Sequence, residues 1–310
     1  MPVYDRPPPL SGADSAGVDS PDGSTDGDRA IRPRLYVEDC AGFAEALADE
    51  GDCDRARTEY LRVVFLGRTP ELRFWAHMRI ASCFYRNQAW EAGMQEFRQA
   101  AAHGAAPADR NLARFMAAGS AFNVRDYELC RDLLERISLT GTDAATACIE
   151  VDEEPAAVTR EHQLFLEGLC LMGLADWDRA AGCFDDAANL CPQSASRERA
   201  RFLADQSQRG RGLPGRSPAI AAIMSTLLPG SGQMYSGRFQ DGLRHLIFDG
   251  LLIYSVYWLA EEDNYAGTYL AAGITLPFYV GNVVGAKRSA EWFNSAARAD
   301  FIGDSINATR

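Results

Sequence analysis

The sequence lacks most of the patterns that are typical of enzymes. It has one lysine, Lys287, and four histidines that are far apart: His77, His103, His162 and His245. It contains no zinc-protease, serine-hydrolase or dinucleotide-binding motif. We therefore predict no catalytic residue, no cofactor and no enzymatic activity.

The sequence also lacks the cysteine spacing of a zinc or redox site. None of its eight cysteines forms a C-x-x-C pair, so no metal site is predicted. The first ten residues are rich in proline and have no basic segment followed by an apolar one, which argues against a signal peptide. Both observations favour free, buried thiols in a reducing compartment.

Basic charge is scarce, and the acidic excess is concentrated in the middle of the chain. The net charge of −12 divides into −2 for residues 1–34, −11 for 35–208 and +1 for 209–310. This balance excludes a general nucleic-acid binder, and the acidic block favours a basic segment of a protein partner. Residues 1–34 are rich in Pro, Gly, Ser and Asp and are predicted to be a disordered tail.

A helical pattern occupies residues 35–208 and repeats four times. Each copy has a small residue and, four positions later, a large apolar one. The pairs are Ala56 and Tyr60, Gly93 and Phe97, Cys130 and Leu134, and Ala180 and Phe184. The small residues are 37, 37 and 50 positions apart, and the longest step holds an acidic insertion near 138–158 that is predicted to be exposed. This layout predicts helix-turn-helix units, with a capping helix at 194–208.

The pattern resembles tetratricopeptide repeats, with four degenerate copies over about 40–192. The resemblance implies an all-α solenoid whose first helices form a partner-binding groove. The aligned groove residues are Trp75, Met78, Tyr85, Phe115, Phe122, Phe165 and Met172. Because these residues are apolar, the groove is expected to hold an amphipathic helix of a partner, and the protein's own capping helix is the alternative occupant.

Long uncharged runs are confined to the C-terminal third, after a linker at 209–218. Residues 266–286 carry no charge and would reach about 31 Å as a helix, enough to cross a bilayer. Residues 243–260 form a shorter, marginal span. Three acidic residues between the spans and basic residues at the opposite end place both chain ends in the cytoplasm. A soluble pair of buried helices is the alternative.

A glycine-rich motif precedes the first span. Its residues are Pro229, Gly230, Gly232, Gln233, Tyr235 and Gly237. The glycines permit tight backbone angles, and Gln233 and Tyr235 have hydrogen-bonding groups for a membrane turn. The motif resembles the turn of the bacterial TM2 family, which implies a two-helix membrane domain over 219–295 without catalytic residues, and leaves 296–310 as a C-terminal tail.

Three polar residues fall within the predicted spans: His245, Asp249 and Asn282. Asp249 is predicted either to pair with Arg244, His245 or Asn282, or to form a proton or ion relay with His245. Gly281 and Gly285 form a small-residue face, which predicts close helix packing inside the hairpin or self-association into a homo-oligomer.

Taken together, these features predict a non-enzymatic scaffold or adaptor, anchored in the bacterial inner membrane with its repeat domain on the cytoplasmic side. Its expected partners are the lipid bilayer and a helical or basic protein segment, in envelope or membrane-protein assembly. A small oligomeric channel or transporter subunit that uses Asp249 is the first alternative, and an intramembrane enzyme is the second.

Overall fold

The computed structural model of the chain describes residues 37–139, 158–190 and 194–309. Every regular element in these ranges is an α-helix, which confirms the all-α prediction for this part of the chain. The predicted tail at 1–34 and almost all of the acidic insertion lie outside the described residues. The chain forms two compact units, one that ends at residue 208 and one that comprises residues 209–308.

The described part of the first unit contains nine helices, and the last of them ends two residues beyond the boundary between the units. They are α1 (Val37–Asp49), α2 (Cys53–Leu66), α3 (Pro70–Arg86), α4 (Trp90–His103), α5 (Pro107–Asn123), α6 (Tyr127–Glu135), α7 (Arg160–Gly173), α8 (Trp177–Leu190) and α9 (Ser194–Gly210). Helices that are consecutive in the chain pack against each other from α1 to α8. The first unit therefore contains four helix pairs in series, followed by α9.

The same turn joins the two helices of each pair. Each turn has three residues between the helices, and the middle residue has a left-handed backbone. The φ angles are 86°, 57°, 64° and 63° at Gly51, Gln88, Arg125 and Ala175. The following N–H donates to a carbonyl five residues earlier at 2.9–3.0 Å in all four turns, which is the bonding that ends helices at a left-handed residue. The sequence repeat is therefore a structural repeat of helix, turn and helix.

The residues that mark the repeat in the sequence are buried as predicted. All four small residues are inaccessible, and so are the four large ones: Tyr60, Phe97, Leu134 and Phe184. A Cβ atom built on Gly168 of α7 would lie 2.7 Å from the ring of Phe184 on α8. Close approach of the paired helices therefore depends on small residues at the crossing, and the large residues fill the space beside it.

Four helices form the second unit. They are α10 (Pro218–Leu227), α11 (Ser231–Tyr235), α12 (Phe239–Glu261) and α13 (Tyr265–Asn307). α12 and α13 pack together as a hairpin, and its connection contains Asp263 in the left-handed conformation and the helix-capping Asn264. α13 includes Pro277 and runs without interruption to residue 307, so residues 296–307, predicted as a tail, are helical.

Candidate functional site

The glycine-rich motif forms the centre of a buried polar cluster in the second unit. We define this cluster as the side chains of Ser225, Gln233 and Asn282 with the backbone of Gly230 and Gly232. The Gln233 amide donates to the Asn282 side-chain and main-chain oxygens at 3.0 and 2.9 Å. The Ser225 hydroxyl donates to Gln233 at 2.9 Å and accepts from the Gly232 N–H, and Asn282 accepts from the Gly230 N–H. The backbone of the motif thus bonds to side chains of α10 and α13.

Two glycines of the motif are required by close backbone approach. A Cβ on Gly230, whose φ is 84°, would lie 1.9 Å from the carbonyl oxygen of Gly242 on α12. A Cβ on Gly232 would lie 2.0 Å from the carbonyl oxygen of Ala221 on α10. No side chain fits at these distances, so the motif brings α10, α11 and α12 together.

α10 and α11 form a loop that runs along α13 and returns. The start of α10 lies beside Asn294, which bonds the backbone N–H and carbonyl of Arg216 at 2.7 and 2.8 Å. Its end lies near Tyr279, whose hydroxyl donates to the carbonyl of Thr226. After α11 the chain is again near the part of α13 where α10 begins, and here the Arg238 guanidinium donates to the Ser289 hydroxyl. The buried polar cluster therefore lies at the innermost part of this loop.

Tyr235 holds the base of the loop. Its hydroxyl accepts from the Ser217 N–H at 3.3 Å, and the Arg216 guanidinium lies 4.9 Å from the centre of its ring. The same guanidinium lies 5.5 Å from the ring of Phe293 on α13. Gly237, which ends the motif, takes a left-handed conformation with φ of 82° before α12 begins.

Large apolar side chains cover the outside of the hairpin. Those on α12 and α13 that are exposed include Leu243, Ile247, Leu251, Tyr254, Trp258, Tyr269, Leu270, Leu276, Phe278, Val280 and Val284. α10 adds Ile220, Ile223 and Leu227 to this surface. An apolar surface of this size on a folded chain is typical of contact with a protein or a membrane.

By length and composition, α13 is the one described helix that could cross a membrane. α12 has 23 residues but contains Asp241, Arg244 and Asp249, so its composition is less apolar. A helix that could span is thus present at the C-terminal of the two predicted spans, and the span at 243–260 stays a prediction.

Asp249 is the most deeply buried acidic side chain among the described residues of the hairpin, with 1% of its surface exposed. Its Oδ2 lies 3.3 Å from Nδ1 of His245, one turn away on α12. Arg244 instead pairs with Asp241, and Asn282 belongs to the buried polar cluster. Of the three predicted partners for Asp249, the structure brings His245 into contact.

The two glycines predicted to pack α13 occupy different surroundings. A Cβ on Gly281 would meet nothing within 4 Å, whereas one on Gly285 would lie 3.5 Å from the Gln233 amide. Packing of Gly281 inside the hairpin is therefore wrong. The buried face of α13 is formed by Asn282, Ala286 and Ala290, because these three residues, about one helical turn apart, are the ones turned toward α10 and α11.

In the first unit, three of the seven predicted groove residues lie in the core. Trp75 and Met172 are almost completely buried, and Met78 packs with Phe74 and Phe97. Trp75 meets Tyr60 edge to face, with ring centroids 5.6 Å apart. These residues cannot contact a partner, because each pair of helices packs against the next and covers them.

The other four predicted groove residues are half-buried: Tyr85, Phe115, Phe122 and Phe165. Phe165 is covered in part by α9, because the guanidinium of Arg199 lies 5.5 Å from the centre of its ring. Part of the Phe165 ring is thus covered by the predicted capping helix. The accessible aromatic surface that remains is on α3 and α5.

Several titratable side chains of the first unit are paired internally. Glu45 accepts from Arg79 Nε at 2.7 Å and from the Tyr60 hydroxyl, and His77 Nδ1 lies 2.7 Å from Glu96. Burial raises the pKa of Tyr60, and it also raises the pKa of the thiol of Cys170, which lies 2.6 Å from the thiol of Cys130. These groups stabilise the packing of neighbouring helices.

Sequence reasoning missed Ser225, Ser289 and Asn294, which connect the motif to its neighbours. Ser225 stands with Thr226 near the end of the apolar run of α10, and these two hydroxyl residues were the available signal. Ser289 and Asn294 follow the predicted end of the second span, and their role depends on contacts with residues 51 and 78 positions away.

Comparison of the chain with models of protein families, with curated proteins and with solved structures finds no match in any of the three.

Proposed function

We propose that the chain is a membrane-anchored helical scaffold: the second unit lies in a bilayer, and the first presents a surface to a protein partner. The observation that carries the proposal is the apolar outer surface of α12 and α13 around a polar interior. In water this arrangement is unfavourable, since apolar surface is left exposed. In hydrocarbon it is favourable, since lipid covers the apolar groups and polar groups bond internally.

Aromatic residues and charges support this placement. Trp258 and Tyr265 are exposed beside the connection between α12 and α13, and Trp292 is exposed 27 positions after Tyr265. Tryptophan and tyrosine favour the two interfaces of a bilayer. Residues 265–287 would reach about 33 Å along the helix, close to the thickness of the hydrocarbon core.

Each end of the hairpin has its own charge. We call the end with Arg238, Arg244, Lys287 and Arg288 the basic end, and the connection with Glu261, Glu262 and Asp263 the acidic end. Because basic residues are retained on the cytoplasmic side, the basic end and both chain termini belong in the cytoplasm. The glycine-rich motif then forms a re-entrant loop whose backbone N–H groups are bonded by Ser225 and Asn282.

The first unit supplies the scaffold. Its four helix pairs are proposed to be degenerate tetratricopeptide-like repeats, and 219–295 a TM2-like domain. Tyr85, Phe115 and Phe122 offer an accessible aromatic surface, and the acidic charge of residues 35–208 favours a basic amphipathic helix of a partner. Assembly of membrane or envelope proteins in a bacterium is the setting that we propose for this scaffold.

Membrane placement is tested first, by alkaline carbonate extraction of membranes that contain the full chain, with a reporter fused to its C-terminus. We expect the chain to remain in the membrane and the reporter to be active in the cytoplasm. Release by carbonate would refute the anchor, and a reporter active only outside the cytoplasm would refute the orientation.

Partner binding is tested by a photo-crosslinking residue at Phe122 in native membranes. Asp185, exposed on α8, is the matched control position. We expect a defined crosslinked protein at Phe122 that is absent at Asp185 and that bears a basic helical segment. Equal crosslinking at both positions, or none at Phe122, would count against a groove on α3 and α5.

A further inference from the structure

Asp249 occupies an unusual position for a carboxyl group in the hairpin, and this inference rests on the proposed membrane placement. It stands 11 residues after Arg238 and 12 before Glu261, which is about 17 and 18 Å from the two ends of α12. In the proposed bilayer the carboxyl is therefore near the middle. A charged group at that depth is costly unless a partner or a proton neutralises it.

One oxygen of this carboxyl has no partner. Asp249 Oδ1 is buried and makes no hydrogen bond to any described residue, while Oδ2 lies 3.3 Å from His245. The two arginines nearest to Asp249 along the chain, Arg238 and Arg244, both form ion pairs with Asp241. On α13, Lys287 pairs with Glu291, and the Tyr279 hydroxyl bonds the carbonyl of Thr226.

The buried polar groups near Asp249 lie on the side of the basic end. Ser289, Asn282 and Gln233 are buried there, and His245 is 38% exposed at its side chain. Toward the acidic end, Thr275 is the one buried polar side chain in the described hairpin, and its hydroxyl donates to the carbonyl of Ala271. His245 is therefore the polar group that joins Asp249 to the side of the basic end, and its side chain is partly exposed.

We propose that His245 and Asp249 form a proton-binding site, in which His245 passes a proton between the basic end and the Asp249 carboxyl. In the transfer, the Nδ1–H bond of the imidazolium breaks and an Oδ2–H bond forms. The charges of +1 and −1 become zero, and no electron is transferred. His245 first takes this proton from hydronium at the basic end, which leaves as water, and release reverses both steps. The pair has no net charge after uptake, and the transfer to Oδ2 removes the two separate charges that the low dielectric of the bilayer disfavours.

The first test is labelling of the full chain in native membranes with dicyclohexylcarbodiimide, an apolar reagent that reacts with protonated carboxyl groups. We expect mass spectrometry to find the adduct on Asp249. Asp249→Asn should abolish this adduct, and Asp241→Asn, the matched change on the same helix, should leave it. Absence of the adduct from Asp249 in the native chain would mean a permanent ion pair with His245 and would overturn the proposal.

The second test separates a relay from a structural pair. Glutamine retains a hydrogen-bonding group at position 245 but does not carry a proton, so a structural role survives His245→Gln. The shift of the carbonyl stretch of protonated Asp249 in D₂O follows exchange of its carboxyl proton for deuterium. We expect this exchange to be about 10²-fold slower in His245→Gln vesicles than in vesicles with the native chain. An unchanged exchange rate would overturn the role of His245.

A sodium ion is the competing occupant, because carboxylate and amide oxygens also bind cations. Protection of Asp249 from labelling by added sodium chloride, but not by choline chloride, would assign the site to sodium and overturn the proton assignment. These outcomes are distinct from failure of the proposed function. A chain that is released by carbonate refutes the anchor, whereas an anchored chain with unlabelled Asp249 refutes the proton site alone.

Discussion

The two units of the chain differ in where their large apolar side chains lie. In the first unit, the aromatic and aliphatic residues of the repeats are buried, and the exposed large hydrophobic residues of its described part are Phe43, Leu61, Phe65 and Leu190. In the second unit, such residues cover the outside of the hairpin, and serine, glutamine, asparagine and aspartate are buried. Both units are built from antiparallel helices, and the different placement of their apolar side chains agrees with the proposal that the second unit faces lipid.

The contrast also extends to how the helices are held together. Apolar packing, as between Gly168 and the ring of Phe184, dominates the large core of the first unit, and bonds such as that from Arg79 to Glu45 add to it. In the second unit, hydrogen bonds connect α10, α11 and α13 around Gln233 and Asn282. This is reasonable in a bilayer, because lipid is as apolar as leucine and the hydrophobic effect adds little to association between helices.

The largest effect is expected from Asn282→Ala, which removes the centre of the buried polar cluster. The change leaves the Gly230 N–H and the Ser225 carbonyl without their partner and removes one of the two oxygens that accept from the Gln233 amide. We expect a loss of about 3 kcal/mol or more in the free energy of unfolding, measured by titration of the detergent-solubilised chain with a denaturing detergent. Gly281→Ala, the adjacent control, should not destabilise, since its Cβ meets nothing within 4 Å. Equal effects of the two changes would contradict the contrast between the units.

The next effect compares the two exposed surfaces directly. Leu270 on α13 is 68% exposed and Phe65 on α2 is 86% exposed. Leu270→Arg should cost about 3 kcal/mol of membrane insertion, measured as the inserted fraction of the full chain in membranes. Phe65→Arg faces water and should change stability by less than about 0.5 kcal/mol. If Leu270→Arg inserts normally, α13 is not surrounded by lipid.

A smaller effect is expected within the apolar packing of the first unit. Gly168→Ala places a Cβ 2.7 Å from the Phe184 ring and should destabilise α7 and α8 by about 1–3 kcal/mol. Gly182→Ala, on exposed α8 surface with nothing within 4 Å, should be neutral or slightly stabilising. Hydrogen exchange of the full chain, localised by mass spectrometry, measures both. Unchanged protection of α7 in Gly168→Ala would show that the helices do not approach this closely.

The smallest effect concerns the pH dependence of stability that arises from His162, which lies in the first turn of α7. Its Nδ1 accepts from the Thr159 N–H at 3.1 Å, and burial lowers the pKa of His162 below its usual value. The unfolded chain therefore binds more protons as the pH falls, so this contribution to stability is complete above about pH 6.5 and is lost as the pH drops through the lower pKa of the folded chain. Faster hydrogen exchange of α7 at acid pH is the expected result.

His162→Gln is the control for that prediction. Glutamine at this position retains an acceptor for the helix-capping bond but does not titrate. We expect the dependence of α7 exchange on pH to become weaker in this variant. A dependence as strong as that of the native chain would assign it to other groups, such as His103, whose pKa is also lowered by burial.

Local patterns in the sequence were sufficient to predict the helical repeat. The pair Ala56 and Tyr60 and the three equivalent pairs mark where the two helices of each unit cross, and all eight residues are buried. The turns follow from the same short-range pattern, since each residue in the left-handed conformation bonds only within its own helix end. Such interactions join residues a few positions apart, and for that reason they can be predicted from a single sequence.

Long-range contacts could not be predicted in the same way. Trp75 and Met172 looked like groove residues because they share a helix face with Tyr85 and Phe165, and only the packing of successive helices shows that they are buried. Gly281 matched a small-residue motif, but rotation of α13 places Asn282 at the contact instead. A periodic pattern predicts which residues share a face of a helix, but it does not predict which neighbouring helix covers that face.

The sequence by itself determined the helices, their pairing in the first unit and the apolar length of α13, because these depend on residue spacing and local bonding. The tertiary structure alone decided that Gln233 bonds Asn282 across 49 positions and that Asp249 meets His245 with one oxygen unpartnered. Hydrogen bonds and burial at such sequence separations arise only when folded helices are in their final positions. That is why the polar interior of the second unit, and the site proposed there, could be found only in three dimensions.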